Sequence, residues 1–193
     1  MRREADRIIA VTLDRERAHL YRIELADFPR PDVLGLSIGG RRVYVSHSLA
    51  QLAFDNPRHL WLLRQTLAHE IAHEISGHAE ESGSAQVHRS SSVGGVTAAD
   101  LGLPPVVRFR HYSLDEELEA DSRGLDYWKA LGWDCRIWIE ILRRFGEQDY
   151  AGDAFHPTGR RLARARAACP EDSGDSKEQH PAAPDAAAGN PDR

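Results

Sequence analysis

The residues with the clearest chemical content are His69-Glu70-Ile71-Ala72-His73. On a helix, positions i and i+4 stack on one face, so both imidazoles can reach one cation. Zinc takes imidazole nitrogen readily, and a catalytic zinc keeps three protein ligands and one position open to water. Glu70, next to the first histidine, can reach such a water from the side. The metal lowers the water's pKa, and the carboxylate takes the proton as the nucleophile forms. With ten histidines in 193 residues, a chance HExxH is an event of roughly a few per cent. The plain alternative is an ordinary helix carrying two histidines satisfied by solvent or core.

A third ligand is expected from a carboxylate on another helix. In Glu117-Leu118-Glu119-Ala120-Asp121, Glu117 and Asp121 lie one turn apart on one face. Such a pair suits a ligand, Glu117, backed by a carboxylate, Asp121, that orients a metal-bound histidine through its far nitrogen. Glu116 and Glu119 compete for the ligand role. Glu116 is better explained as the capping-box partner of Ser113, and Glu119 points roughly 160° from Asp121. An acidic first turn also complements the helix dipole, whatever else it does.

These residues need elements to hold them. Leu60, Leu63, Leu67, Ile71 and Ile75 recur at helical spacing, so a helix is predicted from Pro57 to about Glu81, opened by Asn56-Pro57. His69 and His73 lie on a different face from Ile71. Ser113-Leu114-Asp115-Glu116 opens a second helix that stops at Gly132. Asp134 caps a third, carrying Trp138 and Leu142, and a basic helix is expected from Arg160 to Ala168. Before the first of these, strands are expected at Ile8–Leu13, His19–Leu25 and Arg41–Ser46, and a helical turn or two from Ser48 to Phe54. Trp128, Trp133 and Trp138 read as core.

Composition agrees with a globular chain: 41 % hydrophobic and 28 % charged residues. Of the net charge of −5, a net −4 falls in residues 170–193, where six acids meet only Lys177 and Arg193. The body is nearly neutral, which does not fit a nucleic-acid binder. No run of about 18 apolar residues could span a bilayer, and the start has too short an apolar stretch for a secretory signal. Cys135 and Cys169 have no CxxC spacing and read as two reduced thiols in the cytoplasm. Residues 1–169 form the expected domain. The Ser- and Gly-rich stretch 82–105, with His88 inside it, is expected to be a flexible loop or a lid over the cleft, and 170–193 a disordered acidic tail.

Three separated blocks carry a resemblance to the metallopeptidases grouped with the CAAX prenyl protease and the HtpX heat-shock protease. They are His69-Glu70-Ile71-Ala72-His73 followed by Gly77-His78; Glu117-Leu118-Glu119-Ala120-Asp121 followed by Gly124-Leu125 and Gly132-Trp133-Asp134; and His156-Pro157. In order and approximate spacing they cover residues 40–165. The resemblance implies a gluzincin with one zinc ion, Glu117 as third ligand and Asp121 as its support. It implies that His156 stabilises the oxyanion, and that Arg160 or Arg161 does likewise or holds His156 in place. By the same resemblance, the strand at Val43-Tyr44-Val45 is an edge strand that binds extended substrate. Two departures stand out: Leu114 occupies the position of a family arginine, and the arginine after His-Pro comes early. His78 matches the family too, although on residue chemistry alone it is a helix-end histidine suited to the dipole.

The expected fold is therefore α+β and zincin-like, a small mixed sheet with an edge strand packed on a helical core around the HExxH helix. The expected activity is zinc-dependent endopeptidase cleavage of a protein or peptide substrate. A cytoplasmic regulatory metallopeptidase of the ImmA/IrrE kind, cutting one repressor, is the alternative within the same chemistry. A non-catalytic zinc-binding interaction domain is the alternative outside it. The retained Glu70 argues against the last, because a structural zinc site closes all four positions with protein ligands and needs no base.

Overall fold

The computed structural model describes residues 1–79, 89–90, 92–93, 96–103, 109–110, 112–147 and 157–169. The fold is α+β. Its helices are α1 (Arg2–Ile9), α2 (His47–Asp55), α3 (Leu60–Ser76), α4 (Leu114–Ala130), α5 (Cys135–Glu147) and α6 (Thr158–Ala168). A three-stranded mixed sheet is built from β1 (Arg22–Ala26), β2 (Gly35–Ser37) and β3 (Arg42–Ser46) in the order β1-β3-β2. β1 runs parallel to β3, with Ile23 opposite Val43, and β2 runs antiparallel to it, with Gly35 opposite Val45. No described helix is long and apolar enough to cross a membrane.

α3 is the centre of the molecule, packed by α1, α2, α4, α5 and the sheet. Leu63, Leu67 and Ile71 of the expected stripe are buried, and so is the opposite face, from Gln65 and Thr66 through His69, Glu70 and His73. Its polar groups therefore lie inside the protein, where each needs a partner. α3 ends earlier than expected, at Ser76. Gly77 adopts a left-handed conformation (φ 69°), and its N–H donates to the Glu74 carbonyl. Only glycine enters that region without strain, so the chain turns there. At the other end Asn56 caps a preliminary turn, accepting from Arg58 N–H at 2.9 Å, and the regular helix begins at Leu60.

The second helix is legible to the residue. Ser113 Oγ accepts from Glu116 N–H at 3.3 Å, and Glu116 Oε2 accepts from Ser113 N–H at 2.8 Å. This reciprocal pairing starts α4 and occupies Glu116 as expected. α4 then lies very close to α3. A Cβ at Gly124 would sit 2.9 Å from the Trp138 ring and 3.3 Å from the Ala68 backbone. The absent side chain lets α4, which carries Glu117 and Asp121 on its buried side, approach α3 at the residue before His69.

Three expectations for this part are corrected. Ile8–Leu13 is no strand: Ala5, Ile8 and Ile9 are the fully buried stripe of α1, whose polar first turn hid the period. β1 begins at Arg22 because a 3-10 turn, Arg15–Leu20, occupies the preceding residues. Val43-Tyr44-Val45 is not an edge but the central strand, paired on both sides. Its residues Val43 to Ser46 are buried in a row rather than in alternation. The edge nearest α3 is β2.

The cysteines also differ from expectation. α5 and α6 pack together, which brings the start of one to the end of the other. Cys135 and Cys169 meet as a disulfide, Cα atoms 6.0 Å apart and 34 residues apart in sequence. Two independent reduced thiols are thereby replaced by a staple, a pairing that persists in an oxidising milieu. The Trp128 and Trp138 side chains are fully buried and Trp133 nearly so, as core residues.

Candidate metal centre

The two histidines of α3 and the glutamate of α4 converge. His69 Nε2 lies 3.1 Å from Glu117 Oε2 and 3.1 Å from His73 Nε2, and His73 Nε2 lies 3.2 Å from the same carboxylate oxygen. All three side chains are buried, and their ligand atoms form one group able to hold a metal ion. Ligands about 2.0–2.1 Å from a tetrahedral zinc stand about 3.3 Å from one another. The triangle is close to that size. Two nitrogens and one carboxylate oxygen suit zinc and leave a position for a fourth ligand.

Behind His69 stands Asp121. Its Oδ1 lies 3.0 Å from His69 Nδ1, and Arg161 of α6 grips both oxygens, Nε to Oδ2 at 2.6 Å and Nη2 to Oδ1 at 2.8 Å. Burial acts to raise the pKa of Asp121, but the Arg161 guanidinium and His69 outweigh it and hold the carboxyl well below the ordinary range. Burial likewise acts to lower His69, but Asp121 and Glu117 override it and push the imidazole up to about 10. Without metal, the two carboxylates on either side of His69 favour its protonated form. Its proton on the Nε2 side must leave before a cation can bind.

His73 has a different setting. Burial, the largest influence, pushes its pKa down to about 4. Its ring stacks on Tyr112, centroids 4.0 Å apart and planes at 15°. The Tyr112 hydroxyl donates to the Ser37 carbonyl at 3.0 Å and meets Ser37 Oγ at 2.9 Å. Tyr112 therefore joins the end of β2 to one of the candidate ligand side chains. No feature of the sequence around Tyr112 marks it. Only the long-range packing does.

Glu70 packs against β2. A Cβ at Gly35 would lie 2.6 Å from Thr66 Cγ2, 3.0 Å from Glu70 Cγ and 3.2 Å from its Oε1, so glycine there makes room for both side chains of α3. Ser46 N–H donates to the Leu34 carbonyl and Ile38 N–H to the Arg42 carbonyl. Backbone direction alternates along a strand, so Gly35 and Ser37 turn their N–H and C=O groups away from β3. Among the described residues no strand pairs with that side of β2.

The loop between β2 and β3 is tied to the same helix. Gly39, Gly40 and Arg41 all have positive φ, and the N–H groups of Gly39 and Arg41 donate to the two oxygens of Glu74 at 2.8 and 2.7 Å. A carboxylate one residue beyond His73 thus fixes the hairpin to α3.

The remaining expected residues divide. Arg161 is at the site, on the far side of Asp121. There it pairs with both carboxylate oxygens. Arg160, one residue earlier, is exposed. His156, His88 and the tail 170–193 lie outside the described residues. Much of 82–105 does too, although Ala98, Leu101 and Leu103 pack against Leu36 of β2. No known protein family, curated protein or solved structure matches this chain.

Proposed function

We propose that the chain is a zinc-dependent endopeptidase in which His69, His73 and Glu117 hold the metal and Glu70 is the general base. The observation that carries this reading is the convergence of three buried ligand atoms within 3.1–3.2 Å of one another beside Glu70 and the open side of β2. A zinc ion held there would supply a Lewis acid that acidifies water and polarises a carbonyl. Every other task falls to the chain. Glu70 accepts the proton of the attacking water and passes it to the leaving amine. Asp121, locked by Arg161, keeps His69 Nδ1 engaged and its Nε2 free for the ion. The outward backbone groups at Gly35 suit an extended peptide laid along β2, which would set a scissile bond next to Glu70.

The test is Glu70→Gln. Zinc content should be unchanged and cleavage of an unfolded protein substrate should fall at least about a hundredfold. Proteolysis at the parent rate in that variant would remove the assigned base. Cleavage of one partner at one bond, with no action on unfolded proteins, would favour the regulatory form of the same chemistry.

A further inference from the structure

His73 turns its two ring nitrogens in opposite directions. Nε2 faces His69 and Glu117, while Nδ1 lies 2.9 Å from Nδ1 of His78. His78 is buried, and the left-handed Gly77 folds it back beneath α3, where its N–H donates to the His73 carbonyl at 3.1 Å. Its other ring nitrogen, Nε2, stands 3.5 Å from Glu119 Oε2 on α4. A solvated histidine suited to a helix end would be exposed near the last carbonyls. This one is inside, with its ring nitrogen aimed at another ring nitrogen.

Two imidazole nitrogens in contact must be one donor and one acceptor. If His73 Nε2 gives its lone pair to a metal ion, Nδ1 has to keep the proton. His78 Nδ1 is then the acceptor, and the proton of neutral His78 sits on Nε2, toward Glu119. The direction of the whole chain follows: His73 Nδ1–H to His78 Nδ1, then His78 Nε2–H toward the Glu119 carboxylate. The same chain runs in reverse only with the His73 proton on Nε2, which blocks metal binding.

We propose that His78 is a positioning residue of the metal centre, the acceptor that fixes the tautomer and ring orientation of His73, with Glu119 fixing His78 in turn. The proposal rests on the metal site argued above and adds a role that the metal ligands do not themselves require. It makes the segment just past α3 part of the centre.

The test compares two variants of His78. In His78→Asn the amide oxygen takes the place of Nδ1 and keeps the acceptor. In His78→Leu the bulk stays and the acceptor goes. Zinc affinity is read by competition with a chromophoric chelator, alongside the melting temperature of the zinc-free proteins and the visible spectrum of the cobalt-substituted ones. Loss of a partner to a ligating histidine weakens metal binding about 10–100-fold. The Leu variant should lose about that much and show an altered cobalt spectrum, while the Asn variant stays within about threefold of the parent. Equal zinc affinity for the two variants overturns the proposal. Should the Leu variant not fold, a folded Asn variant whose affinity has dropped by about tenfold overturns it alone. A parent protein that takes up no zinc overturns the metal site itself and this role with it.

Discussion

On one flank of the candidate centre His69 leans on an ion pair, Asp121 with Arg161. On the other, His73 leans on a second imidazole and on the face of Tyr112. The two histidines sit four residues apart on one helix and point at the same spot, yet one flank is built from charge and the other from aromatic rings. Without metal the surroundings push the first toward its cationic form and the second toward its neutral form. A pair of unlike ligands gives a cation one site that must release a proton and one that is ready.

The largest effect on the candidate centre should come from breaking the charged flank. Asp121→Asn removes the buried carboxylate that the part-buried Arg161 grips, and loss of one partner of such a pair costs up to about 3 kcal/mol. Urea unfolding of the zinc-free protein should show that loss, and zinc affinity should fall about 10–100-fold. A variant as stable as the parent would mean the ion pair contributes little.

The disulfide sharpens the same contrast, because it fastens α6, which carries Arg161, and leaves the His73 flank untouched. Closing a loop of this length stabilises by about 3–4 kcal/mol on chain-entropy grounds. A reductant should lower the melting temperature and loosen the His69 flank first, seen as faster amide exchange in α6. An unchanged melt after full reduction would assign the staple no part in stability.

The pH responses of the zinc-free protein should run in opposite directions. His69 is raised from 6.5 to about 10, so its contribution to stability is complete below pH 6.5 and fades as pH climbs toward 10. His73 is lowered from 6.5 to about 4, so its contribution is complete above pH 6.5 and fades as pH falls toward 4. Imidazole nitrogen NMR should find His69 protonated at pH 8 and His73 neutral at pH 5.5. Two ordinary titrations near 6.5 would erase the difference. Zinc added at pH 7 should release about one proton per chain, from His69.

The smallest effect is expected at Tyr112. Tyr112→Phe keeps the ring on His73 and loses the hydroxyl bonds to Ser37, a loss of about 1 kcal/mol in stability with zinc affinity unchanged. A large fall in affinity would show that the hydroxyl, and not the ring, holds His73.

What could be read from the sequence were features written over a few neighbouring residues. The i, i+4 histidines, the i, i+4 carboxylates of Glu117 and Asp121, the Ser113–Glu116 box and the three core tryptophans all fall in this class. Arg161 was legible only as one of two candidates, since choosing between it and Arg160 depends on which side of α6 meets α4. Other features join distant segments and leave no local trace: the Cys135–Cys169 pairing, the stacking of Tyr112 on His73, and the placing of Gly35 beside Glu70. α1 departs from the sequence expectation for a different reason. Its two adjacent isoleucines look extended until Ala5, three residues before, is counted with them.

The central claim is the three-ligand metal site, and the most direct measurement is zinc per chain, parent beside Glu117→Ala, in protein purified without added metal. About one zinc is expected in the parent and a large loss in the variant. No zinc in the parent even when it is supplied, or an undiminished zinc content in Glu117→Ala, would contradict it.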